Sequence, residues 1–288
     1  MENIIIRRET PADYRAVEEL TREAFWNVYV PGASEHYFVH TMRSHPDFIP
    51  ELAFVLEQDG EIIGNIMYTK AWLEDEAGNR REILSFGPLC ISPQYQRKKL
   101  GKLLIEHTFA KAREMGYDVN INFGNPGNYV SRGFVSCKKK NVSFVREGNF
   151  PTALLVAEFV PGALDGKAWM FIPSTAADCC DDTAAVEAFD ATFPPKEKAW
   201  MPSQEEFYIY RTSSVVRSKS YEKTPMRKSP HRRFFTVSYT VPARGLLRPL
   251  RSYRSRGIPC SPQCRSTAPR SPPADCRGRL HCRREALR

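Results

Sequence analysis

The residues best equipped for chemistry lie between Leu84 and Gly116, in LSFGPLCISPQYQRKKLGKLLIEHTFAKAREMG. The centre of this stretch is Gln96-Arg97-Lys98-Lys99-Leu100-Gly101-Lys102, which leads into a helical pattern. Such a segment suits an anion. The first amide N–H groups of a helix have no acceptor inside it, and the helix dipole adds partial positive charge there. Gly101 leaves no side chain where a phosphate would approach the backbone. The same spacing also suits an ordinary strand–helix unit with a solvated basic loop. Cys90 lies just upstream. A thiol nucleophile needs a thiolate, and no histidine or cation stands near Cys90 in sequence, so it reads as a core residue. Glu35, His36 and His40, in SEHYFVHTMRS, would share a helix face. Two imidazoles and one carboxylate at this spacing match no established metal motif, so a structural or substrate-contact role is expected and no metal.

Several elements must hold these groups. Leu84, Phe86, Leu89 and Ile91 read as a strand, followed by a turn at Ser92-Pro93. Leu100, Leu103, Leu104, Thr108, Ala112 and Met115 recur at helical steps up to Gly116. Upstream, Asn3–Arg8 reads as a strand, and Thr10-Pro11 as a helix start with Val17, Leu20, Thr21 and Phe25 on one face. A helix is predicted over Ser34–Ser44. Strands are predicted over Glu51–Gln58 and Glu61–Leu73, joined at Asp59-Gly60, and over Arg81–Ile91 after Ala77-Gly78-Asn79. Downstream, Tyr117–Phe123 alternates as a strand, with Val119, Ile121 and Phe123 on one side. GNPGNYVSRGF then reads as a turn, one short helix and a glycine stop, and Ala153–Phe159 as a strand. Pro161–Lys167 is turn-rich. Thr183–Phe193 reads as a helix with Val186, Phe189 and Phe193 on one side, and PSQEEFYIY as a segment ending in a strand.

Charge divides the chain. Residues 213–288 carry 16 Arg and 3 Lys against three acidic residues, whereas 1–212 hold 23 basic and 30 acidic residues. The overall net charge of +9 therefore belongs to the tail, and the expected folded part is mildly acidic. The tail is rich in Arg, Ser and Pro and has no apolar periodicity, so disorder is expected. It is open to three readings: an arm for nucleic acid, a metal site from Cys260, Cys264, Cys276, His281 and Cys282 at non-standard spacing, or an accidental extension, which the abrupt break favours. No run of about 18 apolar residues suggests a membrane span. Charge enters too soon after Met1 for a signal peptide, and the unpaired spacing of Cys90, Cys137, Cys179 and Cys180 fits a cytoplasmic protein with reduced thiols.

Three pieces together resemble the GNAT superfamily of N-acetyltransferases. Gln96 and Gly101 match the ends of its acyl-CoA-binding motif Q/R-x-x-G-x-G/A, with Lys99 where the first glycine is expected. Tyr129 and Gly133-Phe134 match its Tyr-x-x-x-Gly-Phe signature. The element order agrees with its topology, and ISPQYQRKKLGKLLI, GNPGNYVSRGF and LLVAEFVPGALDG resemble the bacterial YhbS-like group. The resemblance covers about residues 3–211. It implies an α/β (α+β mixed sheet) GNAT acyl-CoA N-acyltransferase fold, with a core over 1–160, a family-specific extension packed on it over 161–212, and the tail beyond.

The resemblance further implies acetyl-CoA as co-substrate and direct attack by an amine in a ternary complex. Leu89, Cys90 and Ile91 would pair their backbone with the pantetheine. Gln96, Arg97, Lys98, Lys99, Leu100, Gly101 and Lys102 would hold the pyrophosphate, with the Lys99 side chain replacing a close backbone approach. Asn125 would lie at the cofactor arm or simply form its turn. Tyr129 would be the general acid, since a phenol of pKa about 10 stays protonated at neutral pH. No motif fixes the base: Glu74, Asp75, Glu35 or a water wire to solvent remain open, and Glu35, His36 and Glu74 are the candidate substrate contacts. The resemblance names no acceptor, though homodimers are common in the family. The reading from another class is a non-catalytic acyl-CoA-binding module whose basic tail makes the interaction.

Overall fold

The computed structural model describes residues 4–145 and 148–216. The expectations for 217–288, including disorder and the nucleic-acid and metal readings, lie outside these residues.

The chain begins with β1 (Ile4–Arg8), a 3-10 turn at Pro11–Asp13, α1 (Tyr14–Phe25) and α2 (Glu35–Met42). Then come β2 (Phe54–Gln58), β3 (Glu61–Asp75), β4 (Arg80–Ile91), α3 (Leu100–Glu114), β5 (Val119–Phe123) and the one-turn α4 (Pro126–Tyr129). Four short strands follow: β6 (Val135–Ser136), β7 (Val142–Phe144), β8 (Asn149–Pro151) and β9 (Leu154–Glu158). The chain continues as β10 (Trp169–Ile172), α5 (Thr183–Asp190), α6 (Pro202–Thr212) and β11 (Ser214–Val216). No described helix is long and apolar enough to cross a membrane.

The main sheet runs β1-β2-β3-β4-β5-β9-β6. Local chemistry sets its registers. Asp59 (φ 52°) and Gly60 (φ 83°) both take the left-handed conformation that a tight two-residue hairpin needs. The long β3 pairs with β2 in its first half, with β4 along most of its length, and with β10 at its end, where Phe171 lies opposite Leu73. One face of the sheet packs α3 through Leu100, Leu104 and Ile105 against Phe54, Leu56, Tyr68 and Phe86. The other packs α1 and α2 through Val17, Val39 and Met42 against Val55 and Met67. A third cluster joins Leu73, Ile83, Ile121, Val156, Trp169 and Phe171 at the far end.

Several expectations need correction. PSQEEFYIY forms a helix, not a strand: Pro202 takes the first helical position, and the buried Gln204 side chain donates to Asn27 O and Ala199 O (both 3.0 Å). These tertiary bonds override the β preference of Tyr-Ile-Tyr. Leu103, Met115 and Phe123 are exposed, and Ile105 takes the inward place on α3. In β5 the alternation fails because both faces are covered; Asn120 and Asn122 are as buried as Val119 and Ile121. Glu35, His36 and His40 do not share an environment: His36 is fully buried while His40 is exposed. The segment after residue 160 does more than lie on the core, since β10 joins the main sheet. Ser214–Val216, at the start of the expected tail, is a strand paired with β8.

Candidate active site

The sheet opens where β4 and β5 part. These strands are parallel, and their only registered pair is Leu84 with Asn120. Beyond it β4 carries a bulge, because Ile66 faces Leu89 and Tyr68 faces Phe86, leaving Gly87-Pro88 opposite Met67 alone. A bulge bends its strand and increases the local twist. From there to Ile91, β4 pairs only with β3 on one side, while β5 from Ile121 to Phe123 pairs only with β9 on the other. The result is a wedge whose β4 side is a free strand edge at Leu89, Cys90 and Ile91. An extended amide-bearing chain can hydrogen-bond to such an edge. Cys90 itself is core: its Sγ lies 3.6 Å from Thr21 Oγ1, and burial pushes the thiol up to about 12.

The basic loop closes the wide end of the wedge. Gln96 Nε2 donates to Ile91 O (3.1 Å) and so ties the loop to the end of β4, making Gln96 a loop brace as well as a candidate ligand. Arg97 (φ 61°) and Lys99 (φ 66°) sit in the left-handed region, where glycine would be at ease. Lys99 is the residue before the first turn of α3, and its carbonyl accepts from Leu103 N (3.1 Å). Leu100 is buried and anchors that turn. Gly101 has no positive φ, and a Cβ placed on it would meet nothing nearer than Ile91 Cγ1 (3.8 Å) and Arg132 Nη2 (3.9 Å). Neither conformation nor crowding within the chain therefore demands glycine at 101; the open space over the helix start is what a side chain would take away. Arg97, Lys98 and Lys99 are exposed, and no carboxylate among the described residues pairs with them. Lys102 is shared with Glu106 (3.4 Å).

Tyr129 spans the wedge. Its ring packs on Phe86 of β4 (5.8 Å between centroids) and on Phe134 (5.3 Å), and it lies across Gly124, just past β5. Gly133 (φ 89°) turns the chain so that Phe134 enters the core beneath the ring. Burial pushes the Tyr129 phenol above its usual pKa, the charge of Tyr29 adds to this, and Arg132 works the other way. The phenol is thus fully protonated at neutral pH. Asn125 caps α4: its Oδ1 accepts from Gly127 N (2.8 Å), so the carbonyl of this side chain is engaged in the turn.

Glu35 lies at the first position of α2 with Ser34 N donating to its Oε2 (3.1 Å), and no cation among the described residues pairs with it. Burial raises its pKa. Burial raises the Tyr29 pKa and the charge of Glu35 adds to it. Phe207 of α6 stacks on Tyr29 (4.5 Å), so the extension forms part of this wall. Sequence reasoning missed Tyr29, Phe207 and Arg132. The first two come together only in three dimensions, whereas Arg132 sits one residue before Gly133-Phe134 and was legible as a cation in that signature.

The other candidates lie elsewhere. His36 points into the α1–α2–α5 contact, its Nε2 3.1 Å from Asp190 Oδ1 and its ring between Phe189 and Phe193. Burial lowers its pKa to about 4, so it is neutral at pH 7. Glu74 pairs with Arg80 (2.8 Å), and both stand six residues along their strands from the Tyr68–Phe86 pair, roughly 20 Å from Tyr129's neighbours at about 3.3 Å per residue. Asp75 bonds Asn79 and Lys167 at the same remote turn. The structure brings neither to the wedge. No cluster of three or more potential metal ligands occurs among the described residues.

Residues 18–136 match the model of the acetyltransferase (GNAT) family. A GNAT family N-acetyltransferase (YhbS) from Escherichia coli, solved in complex with CoA, is 21% identical over 61% of this chain and 92% of its own, with a TM-score of 0.52. A GNAT family acetyltransferase from Brucella melitensis, solved in complex with acetyl-CoA, is 22% identical over 61% of this chain and 99% of its own, with a TM-score of 0.47. No curated protein matches the sequence.

Proposed function

With residues 18–136 a GNAT-family segment on a GNAT fold, we propose that this protein transfers an acetyl group from acetyl-CoA to an amine by direct attack in a ternary complex. The observation that carries the proposal is the wedge. One free strand edge, one helix start lined with unpaired cations, and one protonated phenol line a single opening.

In this reading the pantetheine lies along Leu89, Cys90 and Ile91. Its pyrophosphate meets the amides of Leu100, Gly101 and Lys102 with the side chains of Arg97, Lys98 and Lys99. The thioester then lies beside Tyr129. The incoming amine must lose a proton before it attacks the carbonyl, and the departing thiolate must gain one. Tyr129 supplies the proton to the thiolate. Glu35 takes the proton from the amine. A half-buried carboxylate without a counter-ion among the described residues is costly, and an ammonium group arriving beside it is the natural complement. A carboxylate of raised pKa is also a better base than an exposed one. Residues 1–160 then supply the cofactor site and 161–212 a wall of the acceptor site, in a cytoplasmic enzyme.

The test is a calorimetric titration of the full chain with acetyl-CoA, followed by turnover of an amine panel by the starting protein, Tyr129→Phe and Glu35→Gln. The proposal requires that Tyr129→Phe keep its affinity for acetyl-CoA and lose turnover by about 100-fold or more. It requires Glu35→Gln to lower turnover as well as raise the KM for the amine. Acetyl-CoA binding with no turnover of any amine by the starting protein would favour the binding module instead.

A further inference from the structure

Helix α1 crosses the sheet towards the wedge. Val17 packs with Val55 of β2 and Met67 of β3. Thr21, one turn on, lies 3.6 Å from Cys90 on β4. Phe25, the last residue of α1, is one further turn along the same helix face. Four residues advance about 6 Å, a little more than the roughly 4.8 Å between strands. Phe25 therefore stands past β4, over the opening beside Leu89, Cys90 and Ile91. This is the face of the sheet opposite α3.

A row of rings continues from Phe25. Tyr29 lies 5.7 Å from Phe25, and Phe207 of α6 lies 4.5 Å from Tyr29, between centroids. All three are half-buried. The row is braced: Ser203 Oγ donates to Val28 O (2.8 Å) and Gln204 Nε2 to Asn27 O (3.0 Å), which ties α6 to the loop that carries Tyr29. That loop ends at α2, whose first residue is Glu35.

We propose that the acceptor is an amine carried on an aromatic body, with its ring seated against Phe25, Tyr29 and Phe207. This rests on the acetyl transfer proposed above and names the acceptor class for it. The phosphates of the cofactor are assigned to the start of α3, so the acceptor comes to the thioester from the other face, where the row stands. Aromatic rings pair offset or edge-on at centroid distances of about 4.5–7 Å, the spacing already present in the row. An amino sugar would bury several hydroxyls against rings that offer one phenol hydroxyl between them, and a polyamine would have to desolvate a second ammonium there.

Acetyl transfer by the full chain to 2-phenylethylamine, propylamine, spermidine and glucosamine tests this. The expected kcat/KM for 2-phenylethylamine exceeds that for propylamine by about 30-fold, the worth of burying a phenyl ring. Phe207→Ala is expected to cut this preference about tenfold, and Phe207→Tyr to keep it. The preference is a ratio on one enzyme preparation, so a loss of folded protein does not move it. Equal or better transfer to propylamine, spermidine or glucosamine overturns the aromatic acceptor and leaves acetyl transfer standing. A preference unmoved in Phe207→Ala overturns the seating of the ring. Transfer to none of the four by protein that binds acetyl-CoA overturns the acceptor class, and failure to bind acetyl-CoA removes the reading beneath it.

Discussion

Gly124→Ala probes the placement of Tyr129 without touching its hydroxyl. A Cβ at position 124 would lie 2.4 Å from Tyr129 Cε2 and 2.9 Å from Cδ2. Ordinary contact begins near 3.4 Å, so the ring must retreat by about 1 Å. It has little room, because Phe86 and Phe134 hold its other sides. Overpacking of this kind costs about 1–3 kcal/mol. A catalytic group displaced by about 1 Å loses on the order of 100-fold in rate. Gly124 does not have a positive φ, so no backbone strain confuses the result. The expectation is therefore a kcat lowered by about 100-fold, a nearly unchanged affinity for acetyl-CoA, and a stability loss of about 1–3 kcal/mol in urea. The companion is a double-mutant cycle with Tyr129→Ala, which removes the ring and should abolish the stability cost of alanine at 124. A Gly124→Ala enzyme with normal kcat would refute the positioning of Tyr129 as the acid. A stability loss that persists in the Tyr129→Ala background would refute the steric reasoning itself.

Other expectations follow from the same structure. Lys99→Gly relieves a left-handed residue and removes a cation, so the urea midpoint should hold or rise while acetyl-CoA binds about three- to tenfold more weakly at low salt. A large destabilisation, or equal binding at low and high salt, would count against this. Asp190→Ala strips the partner from the largely buried Arg22 (2.6 Å) and should cost about 3 kcal/mol by chemical denaturation, loosening α5 from α1. His36 has a folded pKa of about 4 against 6.5 unfolded, so the unfolded chain takes up its proton first. Its contribution to stability is complete above pH 6.5 and is lost as pH falls towards 4, by up to about 3 kcal/mol. Thermal melts of the starting protein and His36→Phe should converge in slope across that window if this is wrong.

Local signals carried the hairpin, the strand–loop–helix of the wedge and the glycine stop at 133. Asp59-Gly60 can make only a few turns, and Leu100, Leu104, Thr108 and Ala112 mark one helix face whatever the rest of the chain does. What escaped was decided by distant partners. Gln204 is helical because Asn27 O and Ala199 O wait for its amide. Trp169–Ile172 is a strand because β3 overruns β2 and leaves an edge to be filled. Asn120 and Asn122 break the β5 alternation because both faces of the strand are covered, which distant elements decide. The candidate site divides in the same way. Tyr129 and the basic loop were legible as motifs, but Glu35 and Glu74 looked alike as lone carboxylates. Position separated them, since Glu74 pairs with Arg80 at the remote end of β3 while Glu35 pairs with no cation among the described residues, and position is not written locally.

The length of β3 has a consequence for how the chain comes into being. Strands β2 and β4 are its close neighbours in sequence and can pair with it early. The edge from Trp72 to Asp75 waits for Trp169–Ile172, almost a hundred residues later on a growing polypeptide. Until then a nascent chain carries an open strand edge flanked by Leu73 and Ile83, ready to pair with a neighbouring copy. During synthesis, the hundred residues between β3 and β10 are the interval in which pairing with another copy competes with the native pairing.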